Sequence, residues 1–122
     1  MKGTLFSADF IKDANNDLKL LELNTDTGFI SSAYDSIDLT NFFTVLTDNS
    51  ITEVHVIYKE FQSEFVDFLS NSITSNVTTV TSFVKHFEEI SSIYPTAVED
   101  SANRFILRLA YDESALFDST YA

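Results

Sequence analysis

The sequence contains no cysteine and no tryptophan, one proline, and only two glycines, Gly3 and Gly28. Without cysteine the chain can form neither a disulfide framework nor a thiolate metal site. Two distant glycines cannot form the phosphate-binding loops of Walker or Rossmann proteins, which need several close together. No apolar run approaches the roughly 18 residues of a membrane span, and the N-terminus lacks the apolar segment of a signal peptide. These absences predict a cytoplasmic protein, or a virion-associated one if the source is viral, without a membrane partner.

Basic residues are also few, since 7 Lys and Arg stand against 19 Asp and Glu in 122 residues. The net charge of −12 and the scattered positions of the basic residues disfavour binding to nucleic acids or anionic membranes. Hydrophobic residues make up 44% of the chain, which is typical of a globular protein. The length suits a single domain over residues 1–122, either complete or a piece of a longer protein.

The N-terminal quarter of the chain has the pattern of a β-hairpin. Strand-like runs over 4–12 and 18–25 flank the segment 14–17, whose Asn and Asp side chains favour a turn because they bond the local backbone. A loop of these four residues sets the register and places Ile11 opposite Leu20. Because side chains alternate between the faces of a strand, this register brings four polar residues to one face: Ser7, Asp9, Glu22 and Asn24.

The two acids on this face lie directly opposite each other, which destabilises a strand pair unless something compensates their charge. Together with the carboxamide they form a set of hard oxygen ligands of the kind that Mg²⁺ or Mn²⁺ accepts. The face could therefore hold the metal of a nucleotide phosphate, with Asp9, Glu22 and Asn24 as ligands. The alternative is a solvated hairpin face whose acids lie in water.

The same segment resembles a known motif. It reads Asp-Phe at 9–10, then a turn, then Lys-Leu-Leu-Glu-Leu-Asn-Thr-Asp-Thr at 19–27. This is similar to the metal-binding hairpin of ATP-grasp ligases, in particular the circularly permuted branch that includes glutathionylspermidine synthetases, over residues 5–28. Ser7 stands where that family has an arginine that contacts phosphate, and Gly28 where it usually has proline.

The resemblance implies Asp9, Glu22 and Asn24 as magnesium ligands and ATP as the bound nucleotide, with a small-molecule substrate as a further partner. In that case the chain is part of an ATP-dependent carboxylate–amine ligase. The few Lys and Arg residues do not supply a second nucleotide-binding lobe, so these 122 residues are not expected to be catalytic by themselves. The alternative is a non-catalytic α/β binding or assembly domain, such as a viral structural or accessory protein. Neither interpretation predicts an oligomeric state.

The rest of the chain alternates helix-like and strand-like segments. The predicted elements are a loop at 26–38, helices at 39–47, 61–74, 96–103 and 112–122, and strands at 53–59, 77–85 and 104–111. The strand–helix–strand unit over 53–85 implies a parallel pair. The expected fold is α/β, with α+β possible: an N-terminal β-hairpin, then a β-α-β-α-β section, in a mixed sheet covered by helices.

Arg108 lies inside an apolar strand, and a buried arginine needs an anionic partner. One interpretation is a contact with a ligand carboxylate or phosphate at the carboxyl end of the strand, where α/β sheets bind ligands. The other is a structural ion pair with one of the acids that follow it in the chain: Asp112, Glu113 or Asp118.

The remaining candidates for chemistry are weak. His55 and His86 lack the spacing of a zinc site, and each is expected to be a surface or half-buried residue. No serine lies in the Gly-x-Ser-x-Gly setting of a hydrolase nucleophile. Nucleophilic catalysis therefore has no support in the sequence.

Overall fold

The structure is a computed structural model that describes residues 1–4, 7–24, 38–88 and 96–109, with the backbone alone described at 4, 7–9 and 22–24. The strands in these ranges are β1 (Lys2–Thr4), β2 (Ser7–Lys12), β3 (Leu18–Asn24), β4 (Glu53–Lys59), β5 (Ser82–Glu88) and β6 (Arg104–Arg108). The α-helices are α1 (Thr40–Asp48) and α2 (Ser63–Asn76), and a 3₁₀ turn at Glu60–Gln62 precedes α2. This confirms the predicted mixture of helices and strands.

Four of the strands form one parallel sheet in the order β1-β6-β4-β5. The β4–α2–β5 unit has the parallel pairing that its sequence pattern predicts. Among the described strands the sheet is not mixed as expected, because β2 and β3 make a separate two-stranded antiparallel sheet. Of the predicted first strand over 4–12, Thr4 belongs to β1, which pairs with β6, and residues 7–12 form β2.

The core lies where both helices pack on one face of the parallel sheet. Its members are Leu39, Leu46, Ile51, Val54, Val56, Phe65, Val66, Leu69, Ile73, Val77, Phe105, Leu107 and Leu109. Since strand residues alternate in direction, the opposite face of β4 and β6 carries Glu53, His55, Arg104 and Arg108. We call this second surface the polar face of the sheet.

Helix α2 buries the face that its periodicity predicts, except at its start. Phe65, Leu69 and Ile73 are buried, whereas Phe61 is 49% exposed. The reason lies in the 3₁₀ turn, where the buried Gln62 side chain accepts the backbone N–H of Lys59 at 2.9 Å. The chain therefore enters the α-helix only at Ser63, and Phe61 falls outside its apolar face.

Two further elements differ from their predictions. β5 begins at Ser82 rather than Val77, because Val77 is buried in the core at the end of α2 and a turn follows it. The helix predicted over 96–103 is not formed. There, the backbone N–H and C=O of Thr96 bond side chains of the sheet instead of helical neighbours.

Two predicted elements lie outside the described residues, namely the loop at 26–38, apart from Asp38, and the terminal helix at 112–122. The strand predicted over 104–111 is described as far as residue 109, and it ends at Arg108. No helix in the described ranges is both long and apolar enough to cross a membrane.

Candidate functional site

The hairpin pairs the predicted metal-ligand positions across its two strands. Asp9 is the register partner of Glu22, and Ser7 is the register partner of Asn24, as the sequence predicts. The side chains of these four residues lie outside the described part of the structure. The structure therefore fixes their order along the ladder and leaves metal coordination as a prediction.

The turn that joins β2 to β3 is longer than expected. The Asp13 carboxylate accepts the backbone N–H of Asn15 at 2.9 Å and that of Asp17 at 3.0 Å, and the backbone N–H of Asp13 donates to Asp17 O at 2.9 Å. Asn16 has a φ of 67°, a conformation that Asn tolerates better than most residues. These bonds make a five-residue loop over 13–17 instead of the predicted four-residue loop.

The longer loop changes the pairing near the turn. Ile11 lies opposite Lys19 rather than Leu20, so that predicted pair is wrong, and Leu20 lies opposite Phe10. The register shifts between Asp9 and Phe10, as at a β-bulge, where one strand carries an extra residue. This shift restores the predicted pairing from Asp9 to the start of β2.

The end of the ribbon beyond this shift, residues 10–21, is apolar and exposed; we call it the ribbon tip. Its large exposed side chains are Phe10, Ile11, Leu18, Leu20 and Leu21, each between 53% and 64% exposed. They lie on both faces, because Phe10 and Ile11 are adjacent in one strand. An isolated two-stranded ribbon is only marginally stable in water. An exposed apolar tip of this kind is therefore typical of a surface that contacts another molecule or another part of the chain.

The carboxyl ends of the parallel strands carry a second cluster. Nη1 of Arg108, at the end of β6, donates to Oε2 of Glu88, at the end of β5, at 2.9 Å. Lys59 Nζ, at the end of β4, lies 4.0 Å from the same oxygen. Arg108 and Glu88 are buried, with side chains 5% and 3% exposed. The cluster thus lies at the sheet edge where α/β folds bind ligands.

Thr96 joins this cluster through its backbone. Its N–H donates to Glu88 Oε1, and its carbonyl oxygen accepts Arg108 Nη2 at 3.0 Å. Arg108 is therefore part of an ion pair, as one interpretation of the sequence predicted, but its partner is Glu88 rather than an acid that follows it in the chain. The predicted strand over 77–85 ended before Glu88, which is why that residue was missed. The acids proposed as partners at 112, 113 and 118 lie outside the described residues.

β1 connects this edge to the hairpin. Thr4, the last residue of β1, is the register partner of Arg108, and Ser7 begins β2 three residues later. Three residues span at most about 11 Å. The base of the hairpin, where the predicted metal ligands lie, is therefore close to the carboxyl edge of the sheet.

The polar face of the sheet brings the two histidines together. His55 Nδ1 of β4 and His86 Nε2 of β5 are 2.8 Å apart, within hydrogen-bond distance. The ring planes differ by 17° and the ring centroids are 5.1 Å apart. Because the centroids are so much farther apart than the two nitrogens, the rings meet edge to edge and not face to face. His86 is half-buried, as predicted, but His55 is buried.

Two charged residues adjoin this pair. His55 Nε2 lies 3.8 Å from Glu53 Oε2, and the same oxygen accepts Arg104 Nε at 3.0 Å. Burial lowers the pKa of His55, and the Arg104 charge and His86 lower it further, against a smaller opposite effect of Glu53. Burial and then Arg104 lower the pKa of His86. Both shifts favour the neutral form of the rings, and an N–H···N hydrogen bond requires a neutral acceptor.

Among the described side chains, no group of three or more His, Asp or Glu could hold a metal ion. The predicted ligands of the hairpin are not among those side chains. The described side chains therefore offer no second candidate for the predicted metal site.

The chain matches no protein-family model, no curated protein and no solved structure.

Proposed function

We propose that this chain is an ATP-grasp-related domain whose hairpin binds Mg²⁺–ATP, and that it is part of an ATP-dependent carboxylate–amine ligase. The observation that supports this most directly is the strand register, which pairs Asp9 with Glu22 and Ser7 with Asn24. A slip of one residue would have sent the two acids to opposite faces. The observed register instead keeps the two acids opposite each other, which supports the proposed ligand set.

The donor set suits the proposed ion. Mg²⁺ commonly takes one or two protein carboxylates and fills its other positions with water and phosphate oxygens. Asp9 and Glu22 would supply the carboxylates and Asn24 an amide oxygen. When bound, the metal would neutralise negative charge on the nucleotide phosphates.

The carboxyl edge of the sheet, which lies close to the base of the hairpin, also supports a nucleotide site at this place. Ser7 follows β1 closely, and Arg108 lies beside the end of β1. Both are our candidates for contact with phosphate or with a substrate carboxylate. The bonds of Glu88 and Thr96 to Arg108 fix the orientation of its guanidinium group, and a planar guanidinium suits such anions.

The proposal is tested by the melting temperature in titrations with Mg²⁺ or Mn²⁺, with and without ATP. We expect a rise of several degrees that needs metal and nucleotide together, because a ligand that binds only the folded state stabilises it. Glu22→Gln and Asn24→Ala should abolish the rise. Glu64→Gln, the same chemical change at an exposed position on α2, should retain it. No rise at millimolar ATP and Mn²⁺ would contradict the proposal.

The ribbon tip favours a second function, a non-catalytic assembly domain whose tip docks onto a second copy of the chain. Each strand of the ribbon has one unpaired edge among the described strands, and such an edge can accept another strand. The tip also balances its charges, with two lysines and two aspartates, although the whole chain carries −12. Two tips can therefore approach with less repulsion than other parts of two copies.

Light scattering over a range of protein concentrations tests this second function. A concentration-dependent dimer that Leu20→Lys abolishes would support it, because the substitution places a charge in the apolar contact. Val45→Lys, at a 37% exposed position on α1, is the control and should leave the dimer intact. A monomer at all concentrations would exclude it.

A further inference from the structure

The polar face contains a pair of titratable groups that neither proposed function uses. His55 and His86 are the only histidines of the chain, and they come from two different strands. One of these strands, β5, lies at the edge of the parallel sheet and pairs only with β4 among the described strands. Their contact is thus a side-chain link between an inner strand and an edge strand.

The geometry decides which nitrogen donates in this link. If His55 donated from Nδ1, its buried Nε2 would present a lone pair to the Glu53 carboxylate 3.8 Å away, which is repulsive. If His86 donates from Nε2 instead, the His55 proton lies on Nε2 and points toward that carboxylate. The second tautomer is therefore favoured, with His86 Nε2–H donating to His55 Nδ1.

We propose that His55 and His86 form a proton-sensitive clasp that holds the edge strand β5 to β4 and opens when both rings are protonated. A first proton can add to His86 Nδ1 without disturbing the N–H···N bond. A second proton can bind the pair only at His55 Nδ1, the acceptor of that bond. Its arrival removes the hydrogen bond and leaves two like charges with their nitrogens in contact, so the two protonation steps are coupled.

The other charges on the polar face do not offset the repulsion between the two protonated rings. The charged groups on the same face are Lys2 of β1, Glu53 and Lys59 of β4, Arg104 and Arg108 of β6, and Glu88 of β5. Lys2 is exposed and adds a further positive charge, and Glu99 and Asp100 lie in the segment that precedes β6. Glu53 is bonded to Arg104, and Glu88 is bonded to Arg108. Glu99 and Asp100 are exposed, so water screens their charges.

The sign of the pH dependence follows from these surroundings. Burial lowers the pKa of both histidines in the folded chain below the ordinary value of 6.5. The unfolded chain then binds protons more readily than the folded one. The clasp therefore stabilises the fold fully above pH 6.5, and this contribution is lost as the pH falls through the lowered pKa values.

Nuclear magnetic resonance on the wild-type chain tests the bond directly. At pH 7.5 we expect a scalar coupling between the His55 and His86 ring nitrogens, which only an N–H···N bond transmits. On acidification the coupling should vanish, and amide protection in β5 should fall about fivefold relative to β6, as the loss of one hydrogen bond predicts. A missing coupling at pH 7.5, or β5 protection that does not change with pH, would overturn the proposal.

A single variant separates the effect of protonation from the effect of the hydrogen bond. In His86→Gln the side-chain amide can donate to His55 Nδ1 but cannot be protonated, so β5 protection at pH 7.5 should be retained and its fall on acidification should be less than about twofold. Lys85→Gln, on the same strand but the opposite face, should keep the wild-type pH response. An equal fall in His86→Gln and wild type would refute the clasp. If His86→Gln does not fold, the wild-type coupling decides.

Discussion

Removal of the Glu88 carboxylate is predicted to destabilise the fold far more than removal of a carboxylate from an exposed ion pair of similar length. Glu88 and Arg108 are 2.9 Å apart with side chains 3% and 5% exposed. Asp67 and Lys85 are 2.6 Å apart, but their side chains are 64% and 41% exposed. The two pairs are similar in length and differ strongly in burial, so the second serves as an exposed control for the first.

The expected losses in the free energy of unfolding follow from how well water solvates the charge that is left unpaired. Glu88→Ala leaves the buried Arg108 guanidinium without this carboxylate and removes the acceptor of the Thr96 N–H, so we expect a loss of about 3–5 kcal/mol. Asp67→Ala should cost about 1 kcal/mol or less, because water replaces the lost partner of Lys85. A double variant, Glu88→Met with Arg108→Met, should recover much of the loss, since both charges are then replaced by apolar groups.

Urea unfolding, followed by circular dichroism, measures these differences as shifts of the midpoint at constant slope. A domain of this size is stabilised by roughly 5–15 kcal/mol, so Glu88→Ala should unfold at much lower urea. If Glu88→Ala proves too unstable to purify, the comparison of the double variant with Asp67→Ala still tests the reasoning. Equal losses in Glu88→Ala and Asp67→Ala would refute the view that burial governs the cost.

Two further substitutions test the packing of the core. Phe65→Ala should cost about 3–5 kcal/mol because the ring is 1% exposed, whereas Phe61→Ala, at 49% exposure, should cost less than about 1 kcal/mol; similar urea midpoints would contradict the 3₁₀ start before α2. Gly3→Ala should cost about 1–3 kcal/mol, because its Cβ would lie 2.6 Å from Cζ of the buried Phe105 ring, and an unchanged melting temperature would show that this ring moves freely.

The local sequence pattern predicted those elements whose buried residues all lie along one strand or on one face of one helix. The bounds of β4 are those expected, because a continuous apolar and β-branched run occurs between two turns. The buried face of α2 follows from 3.6-residue periodicity, and only the side-chain bond of Gln62 displaced its start. Where a backbone–side-chain bond competes with a helix, as at Thr96, periodicity alone was misleading.

The hairpin shows how much of the strand pairing the residues of the turn can predict. The Asn- and Asp-rich segment predicted a turn, and the opposition of Asp9 and Glu22 is present in the structure. The pairing next to the turn was wrong, because the Asp13 carboxylate organises one more residue into the loop than expected. Nothing in the sequence indicated the register shift at Asp9 that compensates for it.

The amino-acid sequence by itself determined the class of fold, the hairpin with its opposed acids, and the need of Arg108 for an anionic partner. Only the tertiary structure decided that this partner is Glu88 and that the two histidines meet. The physical reason is that these contacts join residues of different parallel strands, adjacent strands for the histidines and, for Glu88 and Arg108, strands on either side of β4. Their alignment depends on where each strand starts and on how the helix between them packs, and a pattern within one segment does not contain that information.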